Sequence, residues 1–235
     1  MVTIGKLTSK KGPEKKIQEA LIKYLRQREW FVKSTHGCAY QSGFPDLFAA
    51  KRRYGMRWIE VKNPASYRFT DAQIECFPKF SKNQVGIWIL GAGTEAEYKK
   101  LFNQPNWAHY LPVSKVHTRT RSRKEAPKIE QKKAGDGPER DLQNRVVEQL
   151  QQDGWFVLET HGSLFQHGFP DVYACKRGEG QRWIELKIEG GYRFTGAQLE
   201  TFPRLMAEGV SIWVATDKTN IFDIIHNKPN WTEYV

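Results

Sequence analysis

Residues 43–62 read GFPDLFAAKRRYGMRWIEVK, and residues 168–187 read GFPDVYACKRGEGQRWIELK. Both stretches lie inside a longer gapless match. Residues 12–80 align with residues 137–205 at a constant offset of 125, and 35 of those 69 positions are identical. Each copy holds a Pro-Asp pair and, 14 residues after the aspartate, a Glu-x-Lys: Asp46, Glu60 and Lys62 in the first, Asp171, Glu185 and Lys187 in the second. A chain of 235 residues accommodates one domain or two. The repeat decides for two units of about 100 residues, near the common domain size and each long enough to bury a core of its own. It is not a solenoid, whose short repeats stack in three or more.

Outward from that stretch, the pattern predicts the same elements twice. Apolar residues at Ile17, Leu21, Ile22 and Leu25, matched by Leu142, Val146, Val147 and Leu150, have the spacing of one buried helix face. Pro13 and Pro138 stand where these helices begin, with Glu14 and Glu139 in the first turn at the positive dipole end. Strands are expected over 30–35, 44–50 and 57–62, with a tight basic turn over 51–56. A helix is expected over 70–81 with Thr70 as its cap, then a wholly apolar strand over 85–90, as in a buried sheet centre. A short helix near 95–102 precedes Pro105-Asn106-Trp107, which recurs as Pro229-Asn230-Trp231. The order per unit is αβββαβ, with a terminal helix expected in the first copy. The predicted fold is α/β, with units over 1–113 and 135–235. All eight tryptophans fall in matched pairs, which points to core packing.

The formal net charge is +11, divided as +10 over residues 1–113, +6 over 114–134 and −5 over 135–235. A basic half and a basic connector suit a polyanionic partner, most simply nucleic acid. Residues 114–134 carry almost no apolar side chains and read as a flexible basic linker. Cys38, Cys76 and Cys175 have no counterpart cysteine in the other copy and form no CxxC, which excludes a disulfide framework and a thiolate zinc site as readings. No secretory signal is visible and no apolar run has the length of a membrane span, so a cytoplasmic protein, or one in a host cell's cytoplasm if phage-encoded, is expected.

The repeated acids carry the chemistry. Side chains alternate along a strand, so Glu60 and Lys62 share a face about 7 Å apart while Ile59 and Val61 face the core. Asp46, on a neighbouring antiparallel strand, reaches the same patch in the right register. Two carboxylates on one patch repel each other unless a cation lies between them, and oxygen ligands suit Mg2+, with Mn2+ able to substitute. Such a cation neutralises the acids so that a phosphate can enter, and it lowers the pKa of bound water. Lys62 is then placed to position or deprotonate the attacking water and to stabilise developing charge. Arginine is not expected to replace it, since a rigid fork differs from a flexible point charge.

Gly43-Phe44-Pro45-Asp46, Trp58-Ile59-Glu60-Val61-Lys62 and Thr70-Asp71-Ala72-Gln73 resemble the PD-(D/E)XK nuclease superfamily, most closely its VRR-NUC and Holliday-junction-resolvase-like branch. The second copy repeats this in Gly168-Phe169-Pro170-Asp171, Trp183-Ile184-Glu185-Leu186-Lys187 and Thr195-Gly196-Ala197-Gln198. The resemblance covers the middle two-thirds of each unit. It implies two tandem restriction-endonuclease-like domains, each a mixed sheet flanked by helices, forming a single-chain pseudo-dimer. It implies that Asp46, Glu60 and the Val61 carbonyl ligate Mg2+, and that Asp171, Glu185 and the Leu186 carbonyl do so in the second copy. Lys62 and Lys187 serve the water. Glu14 and Glu139 orient a metal-bound water or hold a second ion, a role to set against that of a helix-start carboxylate. Gln73 and Gln198 support the lysine or a phosphate.

Around the site, Arg68 and Arg193 lie in an otherwise identical Tyr-Arg-Phe-Thr segment, where a phosphate contact competes with a solvated loop charge. Lys51, Arg52 and Arg53 form a candidate phosphate clamp in the first copy, to set against a solvated basic turn. His36 and His161 fit a structural hydrogen bond at least as well as an approach to DNA. The expectation is a Mg2+-dependent endonuclease acting on branched or duplex DNA with two sites per chain, with no small-molecule cofactor and no membrane partner. The alternatives are a restriction-type or nicking enzyme with one dominant site, and a DNA-binding protein with retired sites.

Overall fold

The structure is a computed structural model and describes residues 12–35, 43–65, 67–113, 137–160, 168–191 and 193–235. The linker expected over 114–134 and the loop residues His36 and His161 lie outside the described residues. The first half runs α1 (Pro13–Arg26), β1 (Phe31–Ser34), β2 (Leu47–Lys51), β3 (Gly55–Val61), α2 (Asp71–Lys82), β4 (Ile87–Leu90) and α3 (Glu95–Lys99). The second half repeats it as α4 (Pro138–Gln152), β5 (Phe156–Glu159), β6 (Val172–Lys176), β7 (Gly180–Lys187), α5 (Gly196–Ala207), β8 (Ile212–Thr216) and α6 (Ile221–Ile225). The fold is α/β with two four-stranded mixed sheets, ordered β1-β2-β3-β4 and β5-β6-β7-β8. In each sheet the first three strands are antiparallel and the last pairs parallel with the third. A parallel neighbour needs a crossover, which α2 and α5 supply.

Element boundaries depart from the sequence reading for local reasons. The second strand starts at Leu47 rather than at 44, because Pro45 has no N–H to give to a ladder. The terminal segment of each unit is a 3-10 turn rather than an α-helix, over Trp107–Val113 and Trp231–Glu233. The recurring Pro-Asn-Trp has a sheet role. Asn106 Oδ1 accepts from Ile89 N–H at 2.6 Å and its Nδ2 donates to Ile89 O at 3.4 Å. Asn230 does the same for Val214 at 2.7 and 3.0 Å. One side-chain amide thereby substitutes for a strand partner on the outer side of β4 and β8.

The tryptophans are core residues, all eight buried. Each sheet has one face with a private core: α1 lays Leu21 and Leu25 on Ile59, Val61, Trp88 and Leu90, and α4 does the equivalent with Leu142, Val146 and Leu150. The opposite faces merge. Phe48, Trp58, Phe77 and Phe80 of the first half belong to one cluster with Phe169, Tyr173, Trp183 and Phe202 of the second. Contacts across this junction exchange under the offset of 125. Phe48 meets Trp183 with centroids 5.2 Å apart, and Trp58 meets Tyr173 at 5.1 Å. Arg52 N–H donates to Glu208 Oε2 at 2.7 Å, and Arg177 N–H donates to Asn83 Oδ1 at 3.2 Å. Such reciprocal pairs define an isologous, two-fold contact, here within one polypeptide. No helix among the described residues is long and apolar enough to cross a membrane.

Candidate active site

The β2–β3 hairpin brings the two acids together. Asp46 precedes β2, and its Oδ2 accepts from Val61 N–H at 2.8 Å. Its own N–H donates to Glu60 Oε2 at 3.2 Å. Glu60 lies near the end of β3 with 1% of its surface exposed. Its Oε1 accepts from Gln73 Nε2 at 2.6 Å and pairs with Lys62 Nζ at 2.5 Å. The Lys62 ammonium lies 5.0 Å from the Phe69 ring centroid and also donates to Gln73 Oε1 at 3.2 Å. An extended residue directs its N–H and C=O to the same edge, so the Val61 carbonyl faces the side of Asp46. The expected set Asp46, Glu60, Val61, Lys62 and Gln73 is therefore one constellation.

Helix α2 enters this constellation through its first turn. Thr70 Oγ1 accepts from Gln73 N–H, and Gln73 Oε1 accepts from Thr70 N–H, both at 3.2 Å; this is a capping box. With Oε1 so engaged, Nε2 of Gln73 is left to donate to Glu60. Gly43 seats the Pro-Asp segment against the same turn. It has φ +101°, and a Cβ there would lie 2.5 Å from Ala72 O. Thr35 holds the segment from the other side: its hydroxyl donates to Pro45 O and its N–H to Asp46 O at 2.9 Å.

The second copy is built alike. Leu186 N–H donates to Asp171 Oδ2 at 2.8 Å, Gln198 Nε2 donates to Glu185 Oε1 at 2.5 Å, and Lys187 pairs with Glu185. Gly168 and Thr160 repeat the roles of Gly43 and Thr35. In this copy Glu185 Oε2 is buried and has no hydrogen-bond partner among the described residues.

Burial raises the pKa of Glu60 to about 8, and the Asp46 charge adds to the rise against the opposing pull of Lys62. Glu185 is raised to about 8 by burial and by Asp171 in the same way. The lysine does not offset the cost of two acids in a dry pocket.

The other expected residues lie at varying distances from this centre. Glu14 is exposed on the first turn of α1, and its Oε1 accepts from Asn63 N–H at 3.4 Å, so it flanks the lysine strand. Glu139 is exposed in the first turn of α4, and Ile188 stands where Asn63 does. Among the described residues no three His, Cys, Asp or Glu side chains gather as a metal-holding group. Each site instead offers two carboxylates and a strand carbonyl. That set fits Mg2+, which is commonly bound through one or two carboxylates while it keeps several waters, and the partnerless Glu185 Oε2 is an oxygen of the kind such a cation takes.

Arg68 and Arg193 are exposed, one residue before the rings of Phe69 and Phe194 that underlie the lysines. Lys51, Arg52 and Arg53 occupy the far end of the hairpin. Lys51 is five residues along the strand from Asp46, about 17 Å at strand rise, and its Nζ donates to Arg28 O at 2.7 Å. The hairpin turn therefore lies at the opposite end of the strands from the acid pair. Thr35, Thr160, Phe69 and Phe194 are site-building residues that the motif reading passed over, although each is identical in both copies. Burial pushes the Cys76 thiol up to about 11 and the Cys175 thiol up to about 12, so neither is a thiolate near neutral pH. Comparisons with protein-family models, with curated proteins and with solved structures give no match.

Proposed function

We propose that the chain is a Mg2+-dependent endodeoxyribonuclease of the PD-(D/E)XK type, with one phosphodiester-hydrolysing site in each half. The observation that carries this reading is the duplicate constellation of two converging acids and a lysine, each set buried, around which other positions have diverged. The restriction-endonuclease-like order αβββαβ, with its mixed sheet, supports the same assignment. Asp46, Glu60 and the Val61 carbonyl would hold Mg2+, or Mn2+ in its place; Asp171, Glu185 and the Leu186 carbonyl would hold the second ion. When bound, the cation activates water and offsets phosphate charge.

The remaining work falls to the chain's own groups. Lys62 and Lys187 present a fixed ammonium beside the acids, where it orients the attacking water and stabilises charge developing on a phosphate oxygen. Gln73 and Gln198 are positioning residues, since each fixes the glutamate and is itself fixed by the helix cap. DNA suits the charge of +10 on residues 1–113 and +6 on residues 114–134, and binding through phosphates weakens steeply with salt. The test is incubation of supercoiled plasmid and four-way-junction DNA with Mg2+. Asp46→Asn and Asp171→Asn are each expected to leave nicking, and the double substitution to abolish cleavage. Cutting by the double variant would remove the assignment.

A further inference from the structure

We propose that the outer face of the first half, at the β2–β3 turn and the 3-10 turn Lys100–Phe102 that follows α3, is a separate contact for single-stranded nucleic acid. The proposal rests on nucleic acid as the substrate class but not on cleavage. Tyr54 is 45% exposed and Phe102 43%, two of four large hydrophobic residues exposed among those described. Their rings meet edge to face at 5.2 Å, and Phe102 meets Tyr98 at 5.0 Å. Arg53 and Lys99 are exposed beside them. Of the nearby carboxylates, Glu29 pairs with Lys51 at 3.7 Å, Glu95 with Arg28 at 3.0 Å and Glu97 with Lys100 at 2.5 Å, while Glu208 accepts from Arg52 N–H at 2.7 Å. From Phe102 an open groove of about 1010 Å3 runs past Arg57, Lys100, Asn103, Gln104, His109 and Tyr110.

The second half is an internal control. At the offset of 125, Gly178 replaces Arg53, Glu179 replaces Tyr54 and Asp153 replaces Arg28. At the offset of 124 that brings Trp107 onto Trp231, Asp223 replaces Lys99 and His226 replaces Phe102. Buried neighbours are kept: Leu101 corresponds to Ile225, and Trp88 and Trp213 donate to Asn103 O and Asn227 O, both at 3.1 Å. The packing of this corner therefore does not require Tyr54, Phe102 or the cations; only the outward chemistry differs. Exposed aromatic rings among cations stack on bases and neutralise phosphates without regard to sequence. Bases in a duplex are already stacked on each other, so the rings select unpaired segments.

The experiment uses the full chain carrying D46N/D171N in EDTA, so that binding is read without cutting. Fluorescence anisotropy is measured with a labelled single strand of about 20 nucleotides and with its duplex. R53G/Y54E gives the turn the residues of the second half, and Arg53 already has φ +73°, which suits glycine. F102H likewise copies His226. Each variant is expected to weaken single-strand binding about tenfold or more, and to weaken it more than duplex binding. R53G/Y54E should also flatten the single-strand salt slope by about 0.7. Unchanged single-strand affinity in variants that keep their melting temperature overturns the proposal. So does an equal loss on duplex, which marks a plain phosphate contact, or a change in sedimentation without a change in DNA binding, which marks a protein interface. Loss of the nuclease assignment in the cleavage assay leaves this binding result standing, so the two failures are distinguishable.

Discussion

Trp58 and Trp183, the same residue of the two copies, stack with centroids 6.0 Å apart and planes 30° apart. They sit where the reciprocal contacts of the two halves converge, inside a core to which both contribute. The halves are therefore expected to unfold together. Calorimetry of the full chain should show one cooperative transition, and Trp58→Ala should lower stability by about 3–5 kcal/mol. Two separate transitions, with only one moved by the substitution, would contradict a shared core.

The junction is two-fold in shape but not in chemistry. Trp58 Nε1 donates to Tyr173 Oη at 3.3 Å, and that hydroxyl donates to Gln181 Oε1 at 2.7 Å. On the other side Phe48 replaces the tyrosine and Met56 the glutamine, and Trp183 Nε1 is buried with no hydrogen-bond partner among the described residues. Phe48→Tyr with Met56→Gln is expected to raise stability by about 0.5–1.5 kcal/mol, and Tyr173→Phe to lower it by about 1–3 kcal/mol. Urea unfolding measures both. A destabilised double variant would mean that the second hydroxyl has no room.

Gly43 and Gly168 press on the helix turns that carry Gln73 and Gln198. A Cβ would lie 2.5 Å from Ala72 O in one case and from Ala197 O in the other, at φ +101° and +84°. Gly43→Ala is expected to damage the first site alone and Gly168→Ala the second alone. Assayed with the other site disabled, each should cut activity by at least about tenfold, the scale of about 1.4 kcal/mol. Full activity in Gly43→Ala with Asp171→Asn would show that the close approach is not needed.

The buried glutamates give a pH dependence of defined sign. Glu60 and Glu185 keep protons in the folded state up to about pH 8, whereas unfolded chains release them near pH 4.3. Stability without metal should therefore fall as pH rises through that interval, because the folded state binds more protons. Melting temperatures in EDTA from pH 5 to about pH 8.5 test this, with E60Q/E185Q as the reference. The decline should be steeper in the unsubstituted chain and shallower with Mg2+. Equal slopes in the two proteins would remove the raised pKa values.

Much of the fold was legible because duplication marked which residues mattered. The helices announced themselves by the spacing of Leu21 and Leu25 and by the Thr70 cap, and the alternation of Ile59, Glu60, Val61 and Lys62 placed acid and amine on one face. The merged core was not legible: Phe48, Trp58 and Phe80 read as ordinary core residues, and periodicity does not say whether an apolar face meets its own helix or another unit. Lys51, Arg52 and Arg53 were legible as a basic turn, but their distance from the acids was not, because a strand of five residues carries the turn to the sheet's far end. The role of Thr35 was hidden because a threonine hydroxyl gains its meaning only from a carbonyl ten residues away.

The most direct measurement is titration of Mn2+ against the full chain, with free ion read by electron paramagnetic resonance. Two bound ions per chain are expected, one in Asp46→Asn or Asp171→Asn, and none in the double variant. No binding to the unsubstituted chain, or undiminished binding to the double variant, would contradict a cation seated between the paired acids.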